Sequence, residues 1–201
     1  PITYEQITRH VSHGNSLPAK AVILTVDDGF AECFSTMRPL LLKFDIPCIF
    51  FVTTNYLDNR GMGAELKASL CAEKVVAMHP DQKEAFANEI FAIFSDKITD
   101  PEDLEKVLFS HVANDHQDID RICALLGIDI EQEIRKIRPY LTTEEVRQLD
   151  ADGFTIGAHS LGHERFSELT QKEIEDNIAQ SCQCVQTITQ KPEIPFAFPY
   201  T

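Results

Sequence analysis

The chain is predicted to fold as an α/β protein whose parallel strands end in the residues that carry its chemistry. Three observations lead there. The apolar run Ala21-Val22-Ile23-Leu24-Thr25-Val26 stops at Asp27-Asp28-Gly29; a second run, Cys48 to Thr53, follows a helical pattern from Phe30 to Phe44; and Phe154-Thr155-Ile156-Gly157-Ala158 delivers His159. A strand, helix, strand unit needs a crossover, which is right-handed with parallel strands in nearly every known case. Asp27, Asp28 and the segment after Thr53 therefore belong to one end of the sheet, where ligands of such sheets collect.

Each further element has its own signal. Asp45-Ile46-Pro47 separates the first helix from the second strand, since proline ends helices and disfavours helical backbone before it. From about residue 63 to 138 the chain turns polar and rich in Lys and Glu, with apolar residues three and four apart. Within this block Asp81 to Ser95 reads as an amphipathic helix, and Thr99-Asp100-Pro101-Glu102 opens another with a capping oxygen, a first-turn proline and an acid. The block is long for a connection inside an α/β domain, so residues 63–138 read as a helical insertion that either borders the site or only packs. Thr142-Thr143-Glu144-Glu145 is a capping box for a helix ending near Asp152-Gly153, and Thr170-Gln171-Lys172-Glu173 opens one running to about Thr189. Lys191 to Pro195 is a proline-broken loop leading into Phe196-Ala197-Phe198-Pro199-Tyr200. Phe50, Phe51, Phe91 and Phe94 are expected in the core.

At 201 residues, 43% of them hydrophobic, the chain can bury one sizeable core without disulfide or metal staples. A formal net charge of -14 counts against nucleic acid and anionic membranes as partners. No apolar run approaches the length of a membrane span. The six cysteines, at 33, 48, 71, 123, 182 and 184, lie in apolar or helical stretches and read as reduced core thiols, with a cytoplasmic location expected. Cys182 and Cys184 are two apart on a helix and face different ways.

Adjacent residues in extended chain point in opposite directions, so Asp27 and Asp28 at a strand end divide their labour: one carboxylate binds a metal, the other accepts a proton from nearby water. His159 and His163, four apart, can present two imidazoles to one point. Two histidines and one carboxylate leave positions open for water and substrate, as metal-assisted hydrolysis requires. The remaining histidines, at 10, 13, 79, 111 and 116, lack such a cluster and read as structural or exposed.

Together these segments resemble the polysaccharide deacetylase family, carbohydrate esterase family 4, also called the NodB homology domain. Thr25-Val26-Asp27-Asp28-Gly29 is similar to its first motif, Thr-Phe-Asp-Asp-Gly; His159-Ser160-Leu161-Gly162-His163 to its second, His-Ser/Thr-x-x-His; and Phe196-Ala197-Phe198-Pro199-Tyr200 to its third. The resemblance implies a distorted (β/α) barrel over residues 1–201 as a single polysaccharide-deacetylase-like domain. It further implies a metal-dependent hydrolase that removes acetyl groups from an N-acetylated glycan, with metal-bound water attacking the amide carbon. By motif position Asp27 is the general base, Asp28, His159 and His163 ligate one divalent ion, zinc being the commonest, and the Tyr200 backbone N–H after Pro199 stabilises the oxyanion.

Two departures from the family pattern stand out. Ala197 occupies the place of the arginine that usually orients the base. The chain also stops at Thr201, before the fourth motif and the Leu-x-His motif whose histidine is the general acid, so a carboxyl-terminally truncated, incomplete barrel is expected. Two other readings keep the metal site: a hydrolase of another small amide, and a non-catalytic glycan-binding domain.

Overall fold

The computed structural model describes residues 1–94 and 116–200. Three short strands, β1 (Thr25–Val26), β2 (Ile49–Val52) and β3 (Thr155–Ala158), form an open sheet in the order β1-β2-β3 with both pairings parallel. Thr25 pairs with Ile49, and Ile49 in turn with Thr155. A further parallel bridge joins Ala158 to Phe196, so the third motif lies against the outer edge of β3.

The first strand is shorter than its apolar run predicts. Ala21 and Val22 are exposed, and the Val22 carbonyl accepts from the Ile2 N–H at 2.8 Å instead of entering the sheet. The first rung to β2 is Ile49 N–H to Leu24 O at 3.0 Å. Pro47 has no N–H, so the ladder has no donor there to extend it backward.

The chain divides into two compact units, Pro1–Gly61 with Arg138–Thr201, and Met62–Ile137. In the first unit, α1 (Tyr4–His13) opens on a capping box from Thr3. After β1, a π-helical turn, Cys33–Met37, runs into α2 (Arg38–Lys43). Pro39 cannot donate to the carbonyl four residues back and its ring crowds it, which accounts for the wider turn.

The second unit holds α3 (Ala64–Val76), α4 (Pro80–Phe94), α5 (His116–Leu125) and α6 (Ile130–Ile137) around Val75, Phe86, Ile90, Ile119 and Ile122. Phe91 is exposed, contrary to expectation, because on α4 it follows Ile90 and so faces away from that core. The helix expected to open at Thr99, and His111, lie outside the described residues. No helix among the described residues is long and apolar enough to cross a membrane.

Both later capping boxes form. Thr142 caps α7 (Thr143–Ala151) and Thr170 caps α8 (Gln171–Thr189), each with the reciprocal glutamate bond. The two helices pack on β3 and on each other. Val146 and Leu149 of α7 and Val185 of α8 meet Phe50, Val52, Ile156 and Ala158 of the sheet. Fully burying each such aliphatic side chain contributes about 1.5–3 kcal/mol.

Two residues tune this unit and generate tests. A Cβ on Gly157 would lie 2.4 Å from Phe51 Cδ1 and 2.8 Å from the Pro195 carbonyl oxygen, so only glycine lets the 195–197 segment close on β3. Gly157→Ala is expected to destabilise the protein by about 1–3 kcal/mol, measured by urea unfolding. Asp58, at φ 61, accepts from the Thr143 N–H at 2.6 Å and its hydroxyl at 2.7 Å. Desolvation pushes the Asp58 carboxyl up, but the Thr143 hydrogen bonds with Arg60 and Arg147 outweigh it and hold the pKa below its ordinary value. A depressed acid contributes stability above its unfolded pKa, near 3.9, that is lost as pH falls through the folded value. Asp58→Asn should therefore lower the unfolding midpoint at pH 7 and differ less from wild type as pH drops below about 4.

Candidate metal centre

At the end of β1 the chain makes a turn that sets the two aspartates apart. Gly29 N–H bonds back to the Asp27 carbonyl at 3.0 Å, closing a three-residue turn centred on Asp28 at φ 73. Gly29 itself has φ 74, and a Cβ there would come 3.0 Å from Val52 Cγ1. The Asp28 carbonyl accepts from Thr53 N–H at 3.4 Å, which ties this turn to the end of β2.

At the end of β3 lies a second tight turn. His159 is buried, whereas Ser160 and His163 have φ of 67° and 62°. Ser160 Oγ accepts from the His163 N–H at 2.8 Å, and its carbonyl accepts from Thr54 N–H at 3.2 Å. Asn55 N–H bonds Leu161 O at 2.9 Å, and the Tyr56 hydroxyl donates to Gly162 O at 2.9 Å. From α8, the buried Asn177 accepts from Leu161 N–H at 3.0 Å and donates to Glu164 at 2.9 Å.

These turns bring Asp28, His159 and His163 together, with one ligand atom from each within 4.8 Å of the others. Asp28 Oδ1, shielded from solvent, lies 3.4 Å from His159 Nε2 and 3.3 Å from His163 Nε2. Four-coordinate zinc with bonds of about 2.0–2.1 Å sets neighbouring ligand atoms about 3.3 Å apart, so the spacing and the donor types fit such an ion. Side-chain exposure rises from 4% at His159 to 17% at His163 and 34% at Asp28, leaving one side open to solvent.

The imidazoles are oriented from behind. His159 Nδ1 lies 3.0 Å from the Ala197 carbonyl. A carbonyl only accepts, so Nδ1 carries the proton and Nε2 presents its lone pair to the centre. His163 Nδ1 lies 3.1 Å from the Tyr200 hydroxyl, and the two rings are 4.6 Å apart.

The other sequence candidates fall around this group. Asp27 is exposed next to Asp28 and outside the three-residue cluster. Pro199 is buried, and Tyr200 follows it in a turn with φ 57. His10, His13 and His79 are exposed, and no cysteine belongs to the cluster. Burial pushes the Cys33 and Cys48 thiols up to about 12 and about 11.

Sequence reasoning missed the residues that hold the second turn, Thr54, Tyr56 and Asn177. Asn177 had a signal: with Ser181 and Val185 it lies at four-residue spacing on the buried face of α8, where an amide needs partners. The Tyr200 contact with His163 had none, because the two are 37 residues apart.

The description of the polysaccharide deacetylase family matches residues 14–201. Among curated proteins none matches the chain by sequence. Among solved structures, the deacetylase PplD of Streptococcus pyogenes, in complex with acetate, is similar at 14% identity and a TM-score of 0.55 over 98% of this chain and 54% of that one. IcaB from Ammonifex degensii is similar at 15% identity and 0.55, over 99% and 58%. The BpsB deacetylase domain from Bordetella bronchiseptica is similar at 16% identity and 0.53, over 100% and 63%. At such identities the likeness is one of fold, and the chain spans less than two thirds of the length of each. With the family match covering nearly all of its length, this chain belongs to the polysaccharide deacetylase family.

Proposed function

We propose that this protein is a metal-dependent hydrolase that removes acetyl groups from an N-acetylated glycan. The observation that carries this reading is the convergence of Asp28, His159 and His163 at tetrahedral ligand spacing in a chain of this family. Asp28 contributes a carboxylate oxygen and the two histidines their Nε2 atoms. A divalent ion held there, zinc by the fit of donors and spacing, supplies a Lewis acid that acidifies water and offsets charge on the amide oxygen.

The chain's own groups do the rest. Asp27, exposed beside the cluster, is the general base that takes the proton of the water attacking the amide carbon. Pro199 has no N–H, so the Tyr200 backbone N–H is the donor at this turn and bonds the developing oxyanion. The Ala197 carbonyl keeps His159 in the tautomer that binds through Nε2.

We also read β1 to β3 as successive strands of a distorted (β/α) barrel and residues 63–138 as a helical insertion within one domain. Sequential parallel order, continued by the Ala158–Phe196 bridge, supports the first reading. The separate core of Met62–Ile137 supports the second.

Two measurements test the proposal. Asp28→Ala, His159→Ala and His163→Ala are each expected to abolish stoichiometric zinc binding in equilibrium dialysis; full retention by all three would remove the site. Asp27→Asn should retain zinc while acetate release from N-acetylglucosamine oligomers falls about 10²- to 10⁴-fold. Unchanged turnover in that variant would remove Asp27 as the base, and release from small amides alone would remove the glycan.

A further inference from the structure

His159 and His163 are held in different ways. His159 is buried, and its Nδ1 is fixed by a backbone carbonyl in the sheet. His163 sits in a turn at φ 62, and its Nδ1 meets the hydroxyl of Tyr200, a residue 44% exposed that itself has φ 57. An exposed phenol in a turn has rotamer freedom to lose, so a second contact is needed for it to orient a ligand.

Arg165 provides that contact. It lies two residues after His163, in the same loop, and its guanidinium carbon stands 4.1 Å from the centre of the Tyr200 ring. This is well inside the range of about 6 Å for a cation–π interaction. The phenol thus touches the imidazole at a ring separation of 4.6 Å and the guanidinium at 4.1 Å.

The geometry points to Arg165 as a positioning residue that acts through the Tyr200 ring to orient His163 for metal binding. The inference rests on the metal-site reading above. It assigns a cation to the centre from the loop of the second motif, whereas the third motif supplies Ala197 where the resemblance led to an arginine. It also gives the Tyr200 side chain a role separate from that of its backbone N–H. The planar guanidinium stacks on a ring better than an ammonium does, so lysine should replace it only in part.

Zinc affinity, measured by chelator competition on the purified protein, tests this without reference to turnover. Tyr200→Phe and Arg165→Ala should each weaken zinc binding about 10-fold, the lower end for residues behind a ligand, and Arg165→Lys should recover part of the loss. In a Tyr200→Ala background, Arg165→Ala should add less than about 2-fold, because the two act as one unit. The visible spectrum of the cobalt(II) protein should change in Arg165→Ala while the metal-free unfolding midpoint stays in place. Full additivity, an unchanged affinity, or a loss that follows a lowered metal-free midpoint would each overturn the inference. If wild type itself binds no zinc, the metal-site reading fails first and takes this one with it; zinc binding by wild type with no effect of Arg165→Ala sinks this one alone.

Discussion

Ala197 uses both of its backbone polar groups to join the sheet to the candidate metal centre. Its N–H donates to Ala158 O at 3.0 Å and its carbonyl accepts from His159 Nδ1 at 3.0 Å. The first bond continues the parallel ladder past β3, and the second sets the tautomer of a buried imidazole. Gly157 makes both possible, since any side chain there would push the 195–197 segment off the strand. The position that departs from the family motif in its side chain thus serves the site through its backbone, which any residue but proline could supply equally.

The centre is built from strained turns braced by a rigid frame. Asp28, Ser160, His163 and Tyr200 all have positive φ, a conformation that costs about 1–3 kcal/mol per residue and persists only where surroundings enforce it. Here the surroundings are identifiable: Thr53 and Thr54 after β2, Tyr56 beyond them, and Asn177 on α8. The bonds from Thr54 and Tyr56 reach 106 residues along the chain and that from Asn177 reaches 16, so the turn carrying His163 is positioned by the β2 end and by α8 rather than by its own sequence. Preorganisation of this kind brings a carboxylate to 3.3–3.4 Å of two imidazole nitrogens, an arrangement that a cation binding there would otherwise have to enforce.

The same packing silences other reactive groups. Cys33 and Cys48 line the core beneath the strands, and burial raises their thiols to about 12 and about 11, so they stay protonated and non-nucleophilic at neutral pH. In the second unit Cys71 and Cys123 lie buried with sulfur atoms 3.4 Å apart. All six cysteines are free thiols, and none belongs to the Asp28, His159 and His163 cluster.

Local signals were legible in the sequence because they act over a few residues. The capping boxes at Thr142 and Thr170 satisfy helix donors within four residues, and Asp27-Asp28-Gly29 and His159 to His163 announced themselves as polar groups at the ends of apolar runs. The parallel pairing of β1 and β2 followed from the strand, helix, strand pattern, because a helical crossover returns the chain to run in the same direction. The length of β1 was not legible, because a strand extends only as far as its partner offers donors, and Pro47, just before β2, offers none. Nor could spacing show that Asp28 rather than Asp27 faces the histidines; the family resemblance implied it, and a positive φ at Asp28 brings it about. The contacts of Asn177, Ala197, Arg165 and Tyr200 belong to tertiary structure alone. Each depends on where a distant segment arrives, and that is decided by how α8 and the 195–197 segment pack on β3, for which no local pattern exists.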